Sequence, residues 1–297
     1  MSVDIQAVNN IISETADKII MPVFNRGLEK KDIMTKGGGE FVTEADINAE
    51  KELSSRLKDM IPGSSVVGEE GYAKNARIID ALYRSGHVWI IDPIDGTRAF
   101  TEGRKEFATM VSLVKNGETI AGWIYDPNTK KMLMGEQGSG VLLSDRLGSN
   151  HKMTLAPNDV KLGIVGSRLK GVLRMQRLVY VVASLPPLAL GTAVAFDYGR
   201  FFCGDNIFGN TSLPRASFLL YYEAKTWDHR AGLFFVKEAG GYSGTFAKTA
   251  YNDKNFKGGL IVARNKEEWE EIHSIIKPAI DSFFKDIDSR AKGWRYR

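Results

Sequence analysis

Cysteine, long apolar runs and strong net charge are all scarce in this chain, and each scarcity closes off a class of protein. A single cysteine, Cys203, rules out a framework of intrachain disulfides. The start Met1-Ser-Val-Asp-Ile has neither the basic nor the apolar region of a signal peptide, so a reducing, cytoplasmic setting is expected. No uninterrupted apolar run approaches the roughly 18 residues at which a membrane span becomes plausible, so no membrane partner is expected. The 40 basic and 36 acidic side chains leave a net charge of +4. That excess favours the approach of small anions but falls well short of a nucleic-acid footprint, and nucleic acid is not an expected partner. Internal repeats and low-complexity tracts are absent as well.

What the chain does have is 297 residues that are 43% hydrophobic, more than most single-core domains use. Two packed halves are expected: residues 1–148, an N-terminal α+β half, and residues 149–297, a C-terminal α/β half. Ile5, Val8, Ile11, Ile12, Ala16, Ile19, Ile20 and Val23 recur at three- and four-residue steps, which predicts an amphipathic first helix. The glycine run at Lys36-Gly-Gly-Gly39 reads as a loop; a helix through Leu53, Leu57 and Met60 stops near Pro62-Gly63. Phe107 to Leu143 reads as an antiparallel meander, with Asn116-Gly117 as a type I′ hairpin turn. Beyond Asn150 the pattern alternates strand and helix, ending in a helix from Glu267, and the closing Arg290–Arg297 reads as a solvated tail.

The chemistry concentrates in His87-Val-Trp-Ile-Ile-Asp-Pro-Ile-Asp-Gly-Thr97. Val88 to Ile91 reads as a short buried strand cut off by Pro93, which cannot donate to a central ladder. Asp92 and Asp95 therefore sit at a strand end, and Gly96 and Thr97 could turn main-chain N–H groups toward an anion if a helix begins there. Two acids beside such donors would repel phosphate unless a hard cation such as Mg²⁺ lay between them. Four further acidic residues each carry two readings. Glu69 and Glu70 follow a strand, and alone they read as a solvated turn or as ligands. Asp46 lies three residues after Thr43, where a capping box is the favoured account of it taken alone. Asp228 is a first-turn carboxylate that the helix dipole favours whether or not it binds anything.

Gly68-Glu-Glu70, Trp89-Ile-Ile-Asp-Pro-Ile-Asp-Gly-Thr97 and Trp227-Asp-His-Arg-Ala-Gly232, in this order and at these separations, resemble the inositol monophosphatase family of magnesium-dependent, lithium-sensitive phosphatases. Val42-Thr-Glu-Ala-Asp46 resembles a fourth family element. The resemblance implies a layered α/β/α/β/α sandwich with an antiparallel N-terminal sheet and a smaller mixed C-terminal sheet. It also implies two or three Mg²⁺ ions: Glu69, Asp92 and the Ile94 carbonyl at one, Asp92, Asp95 and Asp228 at a second, and Glu69 with Asp46 through water at a weaker third. Thr97 and Asp46 would orient and deprotonate a water, with Glu69 beside them, and the N–H groups of Gly96 and Thr97 would hold phosphate oxygens. Glu70 matches a glutamate that is usually not a ligand. Gly191-Thr-Ala193 resembles the family's substrate-adjacent helix start, although a close-packed helix entrance explains it equally well. A homodimer is a further implication.

This chain departs from the family pattern on the substrate side. Glu223 stands five residues before Asp228, where the inositol-binding glutamate of resembling enzymes usually lies seven before. Arg230 fills a position that is commonly small, and 204–215 is a long link. The expected activity is a phosphomonoesterase acting on inositol monophosphate or a related sugar or polyol phosphate. Histidinol phosphate, fructose bisphosphate and 3′-phosphoadenosine 5′-phosphate are alternatives. An aspartyl-phosphate enzyme of the haloacid dehalogenase type spaces its two acids i and i+2; here they are i and i+3 with proline between, which favours attack by water. A non-catalytic, metal-dependent regulatory protein is the rival from another class.

Overall fold

The structure is a computed structural model that describes residues 3–36, 40–145, 149–155, 162–166, 185–203 and 215–293. Gly37–Gly39 of the glycine run, most of the 204–215 link and the last four residues of the tail lie outside the described residues.

The apolar stripe at the N-terminus forms α1 (Ile5–Thr15), which passes through a π turn (Ala16–Ile20) into α2 (Met21–Arg26). Asp4 caps it, its Oδ1 accepting the Ala7 N–H at 2.9 Å. Pro22 follows the π turn, where its missing N–H and its ring disturb the regular hydrogen-bond ladder. A small antiparallel hairpin of β1 (Ile33–Thr35) and β2 (Phe41–Thr43) leads into α3 (Glu44–Met60). Next come β3 (Ser65–Gly68), α4 (Glu69–Lys74), a 3₁₀ helix (Ala76–Tyr83), β4 (His87–Asp95) and α5 (Thr97–Thr101). The expected meander is β5 (Ala108–Lys115), β6 (Glu118–Asp126), β7 (Lys131–Glu136) and β8 (Val141–Ser144), extended by β9 (Asn150–Met153). These strands form one seven-stranded sheet in sequence order from β3 to β9, antiparallel throughout except for the β3–β4 pair. Asn116 (φ 52°) and Gly117 (φ 86°) both take the left-handed backbone that a type I′ turn needs.

The rest of the described chain supplies β10 (Gly163–Val165), β11 (Leu188–Leu190), α6 (Val194–Cys203), β12 (Phe218–Tyr221), α7 (Thr226–Glu238), β13 (Tyr242–Gly244), β14 (Leu260–Ala263) and α8 (Lys266–Gly293). The second sheet runs β11-β10-β12-β14-β13; β10 is parallel to both neighbours and β14 antiparallel to both of its own, so the sheet is mixed. No described helix is long and apolar enough to cross a membrane.

Strand alternation sorts the side chains into layers. Trp89, Ile91, Val111, Leu113 and Trp123 face α1 and α3, packing with Ile12, Ala49 and Leu53. On the opposite face, Met110, Ile124 and Leu133 pack with Phe196 and Tyr198 of α6 and Phe234 and Phe235 of α7, and Leu219 and Val262 of the second sheet close that layer. Leu220, Ile261 and Ala263 point the other way, onto Trp269 and Ile272 of α8. The order is helix, sheet, helix, sheet, helix. Strands buried on both faces account for the continuous apolar run at 88–91 and for the largely apolar 107–114, where Thr109 and Ser112 are buried as well.

One strand boundary differs from the sequence expectation. β4 does not stop before Pro93 but continues to Asp95, because Pro93 falls in a bulge where no ladder donor is required. Asp92 pairs with Met110 and Asp95 with Ala108, so three steps on β4 match two on β5.

The α6–α7 contact inside the apolar layer is close at Gly232, where an added Cβ would lie 2.3 Å from the Tyr198 ring. Gly232→Ala is expected to destabilise the fold by about 1–3 kcal/mol through overpacking. Urea unfolding checks this, and an unchanged midpoint would contradict the packing argument.

Candidate active site

Residues i and i+3 of a regular strand face opposite ways, so Asp92 and Asp95 could not share a site without the bulge. The extra residue turns Asp95 back to the side that Asp92 shares with α7. The turn is braced locally: Asp92 Oδ1 accepts the Ile94 N–H at 3.0 Å, and Thr109 Oγ1 donates to the Pro93 carbonyl at 2.9 Å. Gly96 then adopts φ 87°, and a Cβ there would lie 2.5 Å from the Glu106 carbonyl oxygen and 2.8 Å from Ala193 Cβ. Only glycine fits. α5 begins at the next residue, as the motif required.

Around this strand end lies a cavity of about 710 Å³ lined by Glu69, Asp92, Ile94, Asp95, Gly96, Thr97, Gly191, Thr192 and Asp228, with Glu40, Arg98, Arg104 and Lys225 on its walls. The structure therefore brings to one place nearly every site residue expected from sequence. Glu223 lines a smaller adjoining cavity of about 200 Å³, together with Asp197, Tyr221 and Lys225. Asp46 is buried behind Thr97, whose Oγ1 donates to the Ile94 carbonyl at 3.0 Å and faces Asp46 Oδ1 at 3.4 Å. The capping-box reading of Asp46 holds, since its Oδ2 accepts the Thr43 N–H at 2.8 Å, and its Oδ1 is left facing Thr97. Gly191 is small because the Asp197 carboxylate lies against it, 2.4 Å from where a Cβ would be.

Burying these acids together is electrostatically costly, and their proton affinities record it. Burial pushes Asp92 well above the ordinary carboxylate range, and Glu69, Asp95 and Asp228 repel it further. Asp228 is raised in the same way, with Lys225 pulling against the shift. Burial takes Asp46 up to about 7 despite its two hydrogen bonds from Thr43. Asp95 rises only to about 6, because burial is opposed by main-chain N–H groups of Ala195, Val194 and Gly96. The Ala195 N–H reaches Asp95 Oδ2 at 2.6 Å, so the start of α6 clasps the end of β4.

Two lysines that sequence reading did not single out answer the remaining charge. Lys36 Nζ lies 3.1 Å from Glu69 Oε1 and also binds Glu70. Lys225 Nζ binds both oxygens of Glu40, at 2.6 and 2.7 Å. Burial would loosen the proton on each, but the facing carboxylates outweigh it and raise both pKa values. Their signal in the sequence was adjacency: Lys36 opens the glycine run and Lys225 stands three residues before Asp228. Among the described residues, no three acidic, histidine or cysteine side chains converge as a finished metal shell. The donor set is nevertheless all oxygen, with its three aspartates raised in proton affinity first by burial and then by one another, and it already draws ammonium groups, which is the chemistry that suits a hard divalent cation.

Residues 3–280 match the inositol monophosphatase family. The chain belongs to that family. Among its relatives, the fructose-1,6-bisphosphatase/inositol-1-monophosphatase of Thermotoga maritima is 28% identical over 235 residues, covering 76% of this chain and 80% of the relative. The Nus factor SuhB of Xylella fastidiosa is 27% identical over 243 residues, 80% of each. The solved structure of a Thermotoga maritima IMPase superposes with a TM-score of 0.71 over 93% of this chain and 97% of the other, at 21% identity, a likeness of fold. The family is one of phosphomonoesterases, and its members are typically magnesium-dependent.

Two polar residues of the family's tryptophan-aspartate motif lie away from the cavity chemistry. His229 is fully buried, meets the Tyr198 hydroxyl at 3.1 Å through Nδ1, and is held neutral by burial, its pKa lowered to about 3. Arg230 pairs with Asp253 through Nε at 2.8 Å and reaches Thr119 Oγ1 at 3.1 Å, tying α7 to the β5–β6 hairpin.

Asp46, Glu50 and Asp197 at about 7 and Asp95 at about 6 all stand above their unfolded values of 3.8 or 4.5. Without metal, the folded state holds protons there that the unfolded chain has released. The stability so gained is full below about pH 4 and is lost as pH rises through 6 to 7. Chelator-treated protein should unfold at lower urea at about pH 7.5 than at about pH 5.5. A midpoint that climbs across that window would contradict the assignment.

Proposed function

We propose that this chain is a magnesium-dependent phosphomonoesterase that hydrolyses a small sugar or polyol phosphate with water as the nucleophile. The observation that carries this reading is the convergence of Glu69, Asp92, Asp95 and Asp228 with the Gly96–Thr97 turn on one cavity. Glu69, Asp92 and the Ile94 carbonyl would hold one ion, and Asp92, Asp95 and Asp228 a second, with Glu69 and Asp46 serving a weaker third through water. Magnesium bound there supplies Lewis acidity to the phosphoryl oxygens and acidifies the attacking water.

The protein's own groups do the rest. Thr97 Oγ1 lies between the cavity and Asp46, so a proton leaving the nucleophile has a path through the hydroxyl to the carboxylate. Asp46, at about 7, has the proton affinity of a base working near neutral pH. The main chain at Gly96 and Thr97 would position the phosphate, so orientation and charge stabilisation carry most of the rate.

The substrate wall supports a hydroxyl-bearing alcohol without singling out inositol. The position seven before Asp228 is Tyr221, whose hydroxyl is engaged in donating to Asp197 Oδ2 at 2.9 Å. Lys225 is the cation lining the adjoining cavity, and it is held by Glu40. A second reading, a non-catalytic regulatory role, is favoured by the relative named as a Nus factor.

Phosphate release from a panel of inositol, histidinol, fructose and 3′-phosphoadenosine esters, with Mg²⁺ and with or without Li⁺, tests these readings. Turnover that Li⁺ suppresses is expected, strongest on a sugar or polyol monoester. Asp95→Asn should cost several kcal/mol of transition-state stabilisation, on the order of a hundredfold or more in kcat/KM. Full activity in that variant would sink the metal assignment; intact folding and Mg²⁺ binding with no release from any ester would support the regulatory role.

A further inference from the structure

Glu50 takes no part in the scheme above, yet it holds the turn that carries Glu69. It lies one helical turn after Asp46, so both carboxylates leave the same face of α3. Asp46 is directed to Thr43 and Thr97. Glu50 is directed to α4: its Oε2 accepts the Glu70 N–H at 2.7 Å and its Oε1 the Gly71 N–H at 2.8 Å.

These N–H groups belong to the first turn of α4, where a helix has no carbonyl partners of its own. The residue at the cap is Gly68, which has no side chain to serve them. Glycine is required there for a second reason: a Cβ on Gly68 would lie 2.3 to 2.6 Å from the Glu50 carboxylate atoms. Gly68 and Glu50 are thus complementary, and a distant helix supplies the cap that the local sequence lacks. The Glu70 N–H is part of the peptide that directly follows Glu69, so Glu50 fixes the peptide plane on which the direction of the Glu69 side chain depends.

A hydroxyl or amide could cap one N–H without placing another carboxylate beside Glu69 and Glu70. Glu50 is 8% exposed and repelled by both neighbours, which makes it a costly choice for a purely local cap. Its distinguishing property, when ionised, is two acceptor oxygens with no donor, which allow it to hold two successive N–H groups at once. We propose that Glu50 is a positioning residue for Glu69: by clamping the N–H groups of Glu70 and Gly71 it fixes the angle at which the Glu69 carboxylate enters the cavity. This rests on the reading of Glu69 as a cation ligand.

The test uses Glu50→Gln and Glu50→Ala in the full chain, with Mn²⁺ binding measured by calorimetry beside Mg²⁺ activation of phosphate release and thermal unfolding of the metal-free proteins. Glutamine keeps the length and one acceptor; alanine keeps neither. Metal affinity should fall about 10- to 100-fold in Glu50→Ala and by an intermediate factor in Glu50→Gln. The Mg²⁺ concentration for half-activation should rise in parallel, while KM for the ester at saturating Mg²⁺ changes little. Should Glu50→Ala fail to fold, the glutamine variant carries the test. Wild-type Mn²⁺ affinity in a folded variant would overturn the positioning role, even if the unfolding temperature fell. A wild-type protein that binds no Mn²⁺ would instead overturn the metal reading, and the proposal with it.

Discussion

Like charge gathered in a partly dry pocket is the constraint around which the rest of this molecule is arranged. Asp46, Asp92, Asp95 and Asp228 are each raised in proton affinity, with burial as the largest cause. Such a cluster persists only where the surrounding structure answers it with donors and cations. The answers come from separate layers: Thr43 at the cap of α3, Lys36 from the β1–β2 hairpin, the N-terminus of α6, and Lys225 before α7. No single layer holds all the acids, because Asp95 and Glu69 are answered by elements other than their own. The contact between Asp95 and Ala195 is the clearest case, joining the end of a strand in the large sheet to a helix of the second half.

The same constraint explains why the backbone is irregular where it is. A straight strand would send Asp92 and Asp95 to opposite faces and leave one of them in the apolar layer with Trp89 and Ile91. The bulge with Pro93, the left-handed Gly96 and the immediate start of α5 put both carboxylates on one side within a few residues. Irregular backbone of this kind costs stability locally, and the dense layers on either side of β4 hold it in place.

Much of this was legible in sequence because the site is built from strand ends and helix starts, where local pattern and chemistry coincide. The apolar run before Asp92, the Asn116-Gly117 turn and the first-turn placement of Asp228 each follow from a rule that acts over a few residues. The continuation of β4 past Pro93 was not legible, since the proline rule assumes a ladder donor is needed and the bulge removes that need. β9, β11 and β13 escaped because three or four residues are too few to display a period, and most of β9 faces solvent. Lys36, Lys225 and Glu50 escaped for another reason. Their partners lie 33, 185 and 20 residues away, and nothing local in the chain records which carboxylate or N–H group they will meet.

The contrast between the acid cluster and the substrate wall follows from how many partners each residue has. Asp95 meets two main-chain N–H groups of α6 and the field of three other acids, so any replacement disturbs several elements at once. Tyr221, by contrast, answers mainly to Asp197, and Lys225 to Glu40 and the nearby acids. A pair of buried residues that satisfy each other needs fewer partners than a lone carboxylate, though Asp197 also accepts the Thr192 N–H and lies against Gly191. In this chain the phenol of Tyr221 and the carboxylate of Asp197 form such a pair. Both line the adjoining cavity, the carboxylate from α6 and the tyrosine that binds it from seven residues before Asp228.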